Sequence, residues 1–411
     1  MKLTFFLIAL ALIFLRLCYP TLELWHNGHG SGTMVMNGDH FIEEIKWSGK
    51  IRLSDDERSF AEISPGGYVK FQENDTTMKA KSDLQGEITY TLYNGKEQLS
   101  LNDSGQQFIA TQIKKMVRFG FFAEGRAEHI YKKGGVRAVL AEISNIQMDG
   151  ARDQYFDLLF QSDSLTPTDQ IELLRQIGNS NNESGQQHLL SIFTRDHLRD
   201  SAVAQQWLIV VGHLGPSYKK KDLLFGYLGA NTKVSSELPV DQFDSVLLIV
   251  GRFDAPNDQQ EVYQRLSELR PLRMRDSVYA QPWLHGVGEI GPSYMKKDLL
   301  LGYLGADTNA SAGLPVDQFD TVLSIAARFD APNDQQEVLE RMAGLPGTTD
   351  AEWASLLRAV GALDQDYIKS DLFTKIAPKL PRNDSLRAVY RKAAKSIQGD
   401  NDYGKTMRAL E

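Results

Sequence analysis

An internal duplication constrains the fold of this chain more than any other feature. The stretch VDQFDSVLLIVGRFDAPNDQQEV, which starts at Val240, returns as VDQFDTVLSIAARFDAPNDQQEV from Val316, with an offset of 76 residues and 19 of 23 positions identical. The preceding stretch is duplicated too, because QQWLIVVGHLGPSYKKKDLLFGYLGA from Gln205 resembles AQPWLHGVGEIGPSYMKKDLLLGYLGA from Ala280. Self-similarity at a fixed period is typical of repeat proteins, whose units pack on their neighbours.

Each duplicated block divides into two similar halves, so the underlying period is about 38 residues. Apolar residues recur at intervals of three and four, as in Phe243, Val246 and Val250, which indicates helices. Turn formers separate two such helices in each half and can cap the second one. The pattern predicts about eight helical hairpins over residues 122–411. Their anchor positions, spaced 34 to 39 residues apart, are Gly178, Gly212, Gly251, Gly288, Ala327 and Gly361.

A different period governs the first hundred residues. ITYTLY from Ile88 alternates apolar and polar residues and runs through Asn94 and Gly95 into KEQLSL, which is typical of a β-hairpin. We expect a small antiparallel sheet of five or six strands with one face in need of cover. The predicted fold class is α+β, with the antiparallel β-sheet as a head at residues 41–104 and an α-solenoid at residues 105–411.

The first twenty residues indicate the compartment. Thirteen uncharged, mostly apolar residues from Leu3 to Leu15 lie between Lys2 and Arg16, which suits an export signal and is short for a spanning helix. Residues 1–20 are therefore predicted to be a cleaved signal or an uncleaved N-terminal anchor, with lipidation at Cys18 as an alternative, and residues 21–40 a flexible linker. We expect a protein exported across the bacterial inner membrane, either periplasmic or anchored to the envelope and touching the membrane through this segment only.

The repeat region resembles the HEAT-like α-solenoids in its period, its paired helices and its apolar spacing over about 290 residues. The head, with its ISPGGY turn and the following FIATQIKKMVRF helix, resembles exported bacterial proteins of unassigned role. Some of those proteins accompany membrane-bound sensor metallopeptidases, so the resemblance implies an envelope regulator or scaffold. The chain lacks the HExxH motif that would carry the peptidase zinc.

A row of polar residues recurs at fixed positions after the anchors. An acid stands ten residues after an anchor and Lys or Gln stands eight residues after it. Stacked hairpins bring equivalent positions together, so these residues are predicted to form a ladder that either holds the units in register or binds an extended polypeptide. The candidate binding ladder comprises Lys220, Lys296, Lys369, Asp222, Glu261, Asp298, Glu337 and Asp371.

Tyrosines also recur in this region, at Tyr218, Tyr294, Tyr367 and Tyr403. We expect them to pack between neighbouring units, with a binding strip as the alternative.

The sequence offers no constellation that supports a reaction. Nucleophile elbows, phosphate-binding loops and metal-ligand spacings do not occur, and His26 and His29 alone are half a metal site. A net charge of −8 argues against a nucleic-acid partner. We therefore expect a non-catalytic scaffold without a cofactor that binds another envelope protein. The alternatives are a sensor of a small ligand or peptide, and an enzyme or peptidase accessory with a deep pocket near residues 100–150 where ionisable groups converge.

Overall fold

A computed structural model describes residues 30–38, 41–146, 148–162, 165–180, 182–193, 197–231, 238–268, 276–305 and 313–411. The chain divides into two compact units, residues 1–185 and residues 186–411. The predicted export segment, Cys18 and the histidines at 26 and 29 lie outside the described residues. No helix within the described ranges is long and apolar enough to cross a membrane.

The first unit begins with an antiparallel sheet. Six strands are ordered β1-β2-β5-β6-β7-β8, and β3 and β4 form a separate two-stranded hairpin inserted between β2 and β5. The predicted hairpin at Asn94 is confirmed, since Asn94 pairs with Glu97 and Gly95 has a φ of 56°. The strands are β1 (Gly30–Gly38), β2 (Phe41–Gly49), β3 (Ile51–Leu53), β4 (Phe60–Ile63), β5 (Tyr68–Glu73), β6 (Thr76–Ser82), β7 (Ile88–Asn94) and β8 (Glu97–Leu99).

Helix α1 (Asp103–Arg118) covers the sheet face that the alternation left apolar. Asn102 caps the helix, because its side chain accepts a hydrogen bond from the amide of Gly105. Ile113 and Met116 lie fully buried against strand residues such as Phe71. The predicted boundary at residue 104 would assign α1 to the helical repeats, whereas its apolar face belongs to the core of the sheet.

Three further helices complete the first unit, and α5 begins at its end. Helix α2 (Ala123–Ile143) packs against both α3 (Asp149–Phe160) and α4 (Pro167–Gly178). A capping box formed by Thr166 and Asp169 starts α4. Helix α5 spans Glu183–Ile192.

The second unit is a two-layered stack of hairpins. First helices pack on first helices and second helices on second helices along the chain, which is the packing of a solenoid. Among the described residues this unit holds six such pairs, and the predicted α-solenoid is confirmed. The first helices are α6 (Ser201–His213), α8 (Val240–Val250), α10 (Ser277–Glu289), α12 (Val316–Ala326), α14 (Asp350–Gly361) and α16 (Asp384–Ala394). The second helices are α7 (Ser217–Asn231), α9 (Pro256–Glu268), α11 (Ser293–Gly305), α13 (Pro332–Met342), α15 (Asp366–Ile376) and α17 (Asp400–Leu410).

The duplication preserves contacts between neighbouring hairpins as well as sequence. The Tyr227 hydroxyl donates to Gln242 at 2.5 Å, and 76 residues later Tyr303 donates to Gln318 at 2.6 Å. The Ser217 hydroxyl also donates to the carboxylate of Asp254 in the next hairpin, and this bond recurs in the second copy. Copying a unit therefore extended the stack without new interface chemistry.

Candidate interaction surface

The second residue of each second helix from α7 to α15 is exposed. Tyrosine occupies this position in α7, α11 and α15, and asparagine occupies it in the two helices between them. These residues are named here the Tyr/Asn row: Tyr218, Asn257, Tyr294, Asn333 and Tyr367.

The exposure of the three tyrosines in the row corrects the expectation that they pack between neighbouring hairpins. Tyr218 is 54% exposed, Tyr294 52% and Tyr367 61%. Their phenolic hydroxyls hydrogen-bond to no other described residue. The phase of the helix explains this exposure. Leu223 and Leu224, in the following turns, are buried in the core, so Tyr218 lies on the opposite side of the helix. Tyr403 is only half-buried and does not extend the row in the same way.

Two of the three lysines of the predicted ladder are buried. Lys220 is 7% exposed and Lys369 is 5% exposed. The Lys369 ammonium donates to Asp366 at 3.2 Å and to the carbonyl of Ser396 at 3.1 Å. Lys296 is half-buried, and burial lowers the pKa of its ammonium. A binding role for the ladder stays a prediction, but Lys369 links α15 to the following hairpin through the carbonyl of Ser396.

The acids of the predicted ladder lie on the outer surface, four residues after each member of the Tyr/Asn row. Two of these carboxylates, those of Glu261 and Glu337, are paired with a lysine of the second helix before them. Lys221 contacts Asp258 at 2.7 Å and Glu261 at 3.0 Å, and the Asp258 hydrogen bond is the main reason that the pKa of Lys221 is raised. The second copy repeats this geometry, with Lys297 at 3.1 Å from Asp334 and 3.4 Å from Glu337.

The lysine that pairs with the acid of the next second helix stands one position later than the ladder lysine. The last acid, Asp371, accepts from Gln336 at 2.7 Å and contacts Lys375 at 2.9 Å. In the duplicated helices one partly buried lysine therefore faces at least two carboxylates, of which the ladder acid is about half exposed. The outer surface of the second helices carries an excess of exposed carboxylate.

A second group of ionisable residues converges in the first unit, within the region that the enzyme alternative singled out. The guanidinium of Arg126, 9% exposed, donates to both carboxylate oxygens of Glu57 at 2.6 and 3.0 Å. It also donates to Glu142 at 2.7 Å and to the Tyr155 hydroxyl at 3.0 Å. Burial opposes the charge, but these carboxylates raise the pKa of Arg126 above its ordinary value.

These groups are hydrogen-bonded to one another, so the cluster joins the β3–β4 hairpin to α2. Glu57 has a φ of 55°, in the left-handed region, and the bidentate bond to Arg126 offsets that strain. The neighbouring Asp55 lies 3.7 Å from His129. Across the described residues, no three His, Cys, Asp or Glu side chains form a group that could hold a metal ion.

Comparison with known proteins does not assign the chain to a family. No protein-family model matches the chain, and no curated protein is significantly similar to it. The resemblance of the head to exported bacterial proteins thus stays a prediction.

Proposed function

We propose that this chain is a non-catalytic interaction protein that binds another protein through the outer surface of its second helices. The observation that carries the proposal is the exposure of three tyrosines at one repeated position. Tyrosine supplies a large, rigid contact area with a polar tip at little entropic cost, and it is enriched in protein-binding surfaces. Asparagine between the tyrosines supplies adaptable hydrogen bonds.

Comparison of the repeats supports the same proposal. Helices α7, α11 and α15 share the pattern Tyr-x-Lys-x-Asp-Leu, although α15 has diverged elsewhere from the other two. In α15 the core explains Lys369 and Leu372, which are buried. Packing does not explain Tyr367, which projects outward. A residue retained on the surface without a packing role is best explained by contact with a partner.

The site of action belongs to the proposal as well. An export segment at residues 1–20 would deliver the described units to the bacterial envelope, where the N-terminal segment would keep them near the membrane. The partner would then be another envelope protein.

Affinity capture from the native membrane fraction tests the proposed function. The intact chain is compared with the variant Tyr218→Ala/Tyr294→Ala/Tyr367→Ala, which removes exposed rings and should leave the core intact. The matched control is Ile209→Ala/Leu248→Ala/Val278→Ala, which removes exposed apolar side chains from the first helices. The proposal expects a protein retained by the intact chain and the control, lost from the tyrosine variant, and bound again when purified. Equal capture by all three chains would refute it.

A further inference from the structure

Two copies of one surface stripe run along α7 and α11. Each stripe has Tyr, then Asp four residues on, then Gly four residues further, and residues at i, i+4 and i+8 share one helix face. The first stripe is Tyr218, Asp222 and Gly226, and the second is Tyr294, Asp298 and Gly302. All six residues are exposed.

The glycines of the stripes have no packing reason within the described chain. Apart from the backbone of its own helix and its chain neighbours, a Cβ added at Gly226 or Gly302 would meet no described atom within 4 Å. Gly286, in α10, behaves differently, since a Cβ there would lie 2.3 Å from the hydroxyl of the buried Tyr263. Glycine within a helix is destabilising relative to alanine, so glycine at an open surface position needs another explanation. Close approach of a ligand backbone supplies one.

The charge of the same face indicates which class of ligand it would bind. Asp222 and Asp298 are exposed next to Lys221 and Lys297, each of which already faces two carboxylates on the following helix. The lysines are 18% and 17% exposed, whereas Asp298, which lies 4.0 Å from the Lys297 ammonium, is 55% exposed. A molecule lying on the stripes therefore meets carboxylates and tyrosine rings before it meets the recessed cations.

We infer that the two stripes hold an extended polypeptide segment rich in arginine or lysine. A cation of the segment would lie over the ring of Tyr218 or Tyr294 and against the following aspartate, since cations are attracted to aromatic faces within about 6 Å. The segment's backbone would pass over the glycines. This inference rests on the proposed function and names the chemical class of its partner.

The packing of the helices sets the spacing of the cations in the ligand. Helix α9 lies between α7 and α11, and packed helices are roughly 8–10 Å apart. The two stripes are then separated by roughly 16–20 Å, which an extended chain spans in about five or six residues. Basic residues of the partner should recur at that interval, with polar residues over Asn257 and Glu261 of α9.

Fluorescence anisotropy with the full chain tests the inference. The probe is a labelled Gly/Ser peptide of about 18 residues with arginines about six residues apart, and its counterpart carries glutamate in place of arginine. The arginine peptide should bind and the glutamate peptide should not. Asp222→Asn/Asp298→Asn should weaken binding roughly tenfold, and added salt should weaken it further. The matched control is Asp244→Asn/Asp320→Asn, which removes two exposed acids at equivalent positions of the first helices and should bind as the intact chain does.

Failure of the inference can be told apart from failure of the proposed function. If membrane proteins depend on the tyrosines for capture but the arginine peptide binds no better than the glutamate peptide, the inference is wrong and the proposed function stands. Equal weakening by the stripe and control variants would also overturn the inference, because attraction would then follow total charge. Equal capture by the intact chain and the tyrosine variant refutes the proposed function itself.

Discussion

Substitution of the two stripe glycines by alanine should stabilise the fold while it weakens binding. In the helix interior, alanine is more stable than glycine by about 1 kcal/mol, which applies to Gly226 in the middle of α7. Gly302 lies in the last turn of α11, so its gain should be about half as large. The two helices are separated by α9, and the double variant should gain about 1.5 kcal/mol by addition.

Urea unfolding followed by circular dichroism measures this gain as a higher midpoint with an unchanged slope. Gly286→Ala is the contrasting variant, because its Cβ would collide with Tyr263 and should cost about 1–3 kcal/mol. The stabilised double variant should bind the arginine peptide more weakly than the intact chain. A glycine variant with unchanged or lower stability would refute the reasoning, since the glycines would then have a structural role. Higher stability with full affinity would remove the ligand contact as their explanation.

Three further predictions concern the buried polar groups. Lys369→Glu should destabilise the second unit by about 3 kcal/mol or more in urea unfolding, because it places an acid where a buried ammonium is hydrogen-bonded, and a soluble variant of unchanged stability would contradict the burial. Glu57→Ala leaves the buried guanidinium of Arg126 without its bidentate partner and should cost about 3 kcal/mol, whereas Glu57→Asp should recover part of the loss; equal losses would refute the pairing. The Ser217 hydroxyl is the main cause that holds the pKa of Asp254 below its ordinary value of 3.8. The ionised form of Asp254 therefore stabilises the fold above about pH 4, and this contribution is lost as the pH falls through the lowered pKa. The stability difference between Ser217→Ala and the intact chain should be largest near neutral pH and shrink in acid, and a difference independent of pH would contradict this linkage.

The architecture could be predicted because the duplication and the apolar spacing report directly on packing. The repeat period and the apolar spacing suffice to predict a series of helical hairpins. The alternation in ITYTLY suffices to place strands. The burial of the sheet by α1 was less visible, since an amphipathic helix after a sheet can cover the sheet or start a helical array. Only the three-dimensional contacts of Ile113 and Met116 decide between these arrangements.

The predicted ladder and the structure differ in which lysine of α7 faces outward. In α7 three lysines stand in sequence, and which of them faces outward depends on the phase of the helix. Leu223 and Leu224 are buried, so Lys219 and Lys220, four residues earlier, share their face, and Lys221 is left to pair outward. This phase signal was present in the sequence, although the spacing from the anchor glycine obscured it.

The Arg126 cluster had no comparable signal. Arg126 and Glu57 are 69 residues apart in different types of structure, and no periodicity relates them. Ion pairs of this kind are fixed by tertiary packing, which a single sequence does not reveal. The exposure of the tyrosines was equally hidden, because tyrosine is found both in cores and at interfaces.

Site-specific photo-crosslinking in cells that produce the full chain tests the central claim most directly. A photoreactive phenylalanine analogue would replace Tyr294 in one variant and Leu248, which is at least as exposed and lies on a first helix, in the control. The account predicts a crosslinked protein adduct from position 294 that is absent from position 248, with the crosslink mapped to a segment rich in arginine or lysine. Adducts from both positions, or from position 248 alone, would contradict a recognition surface on the second helices.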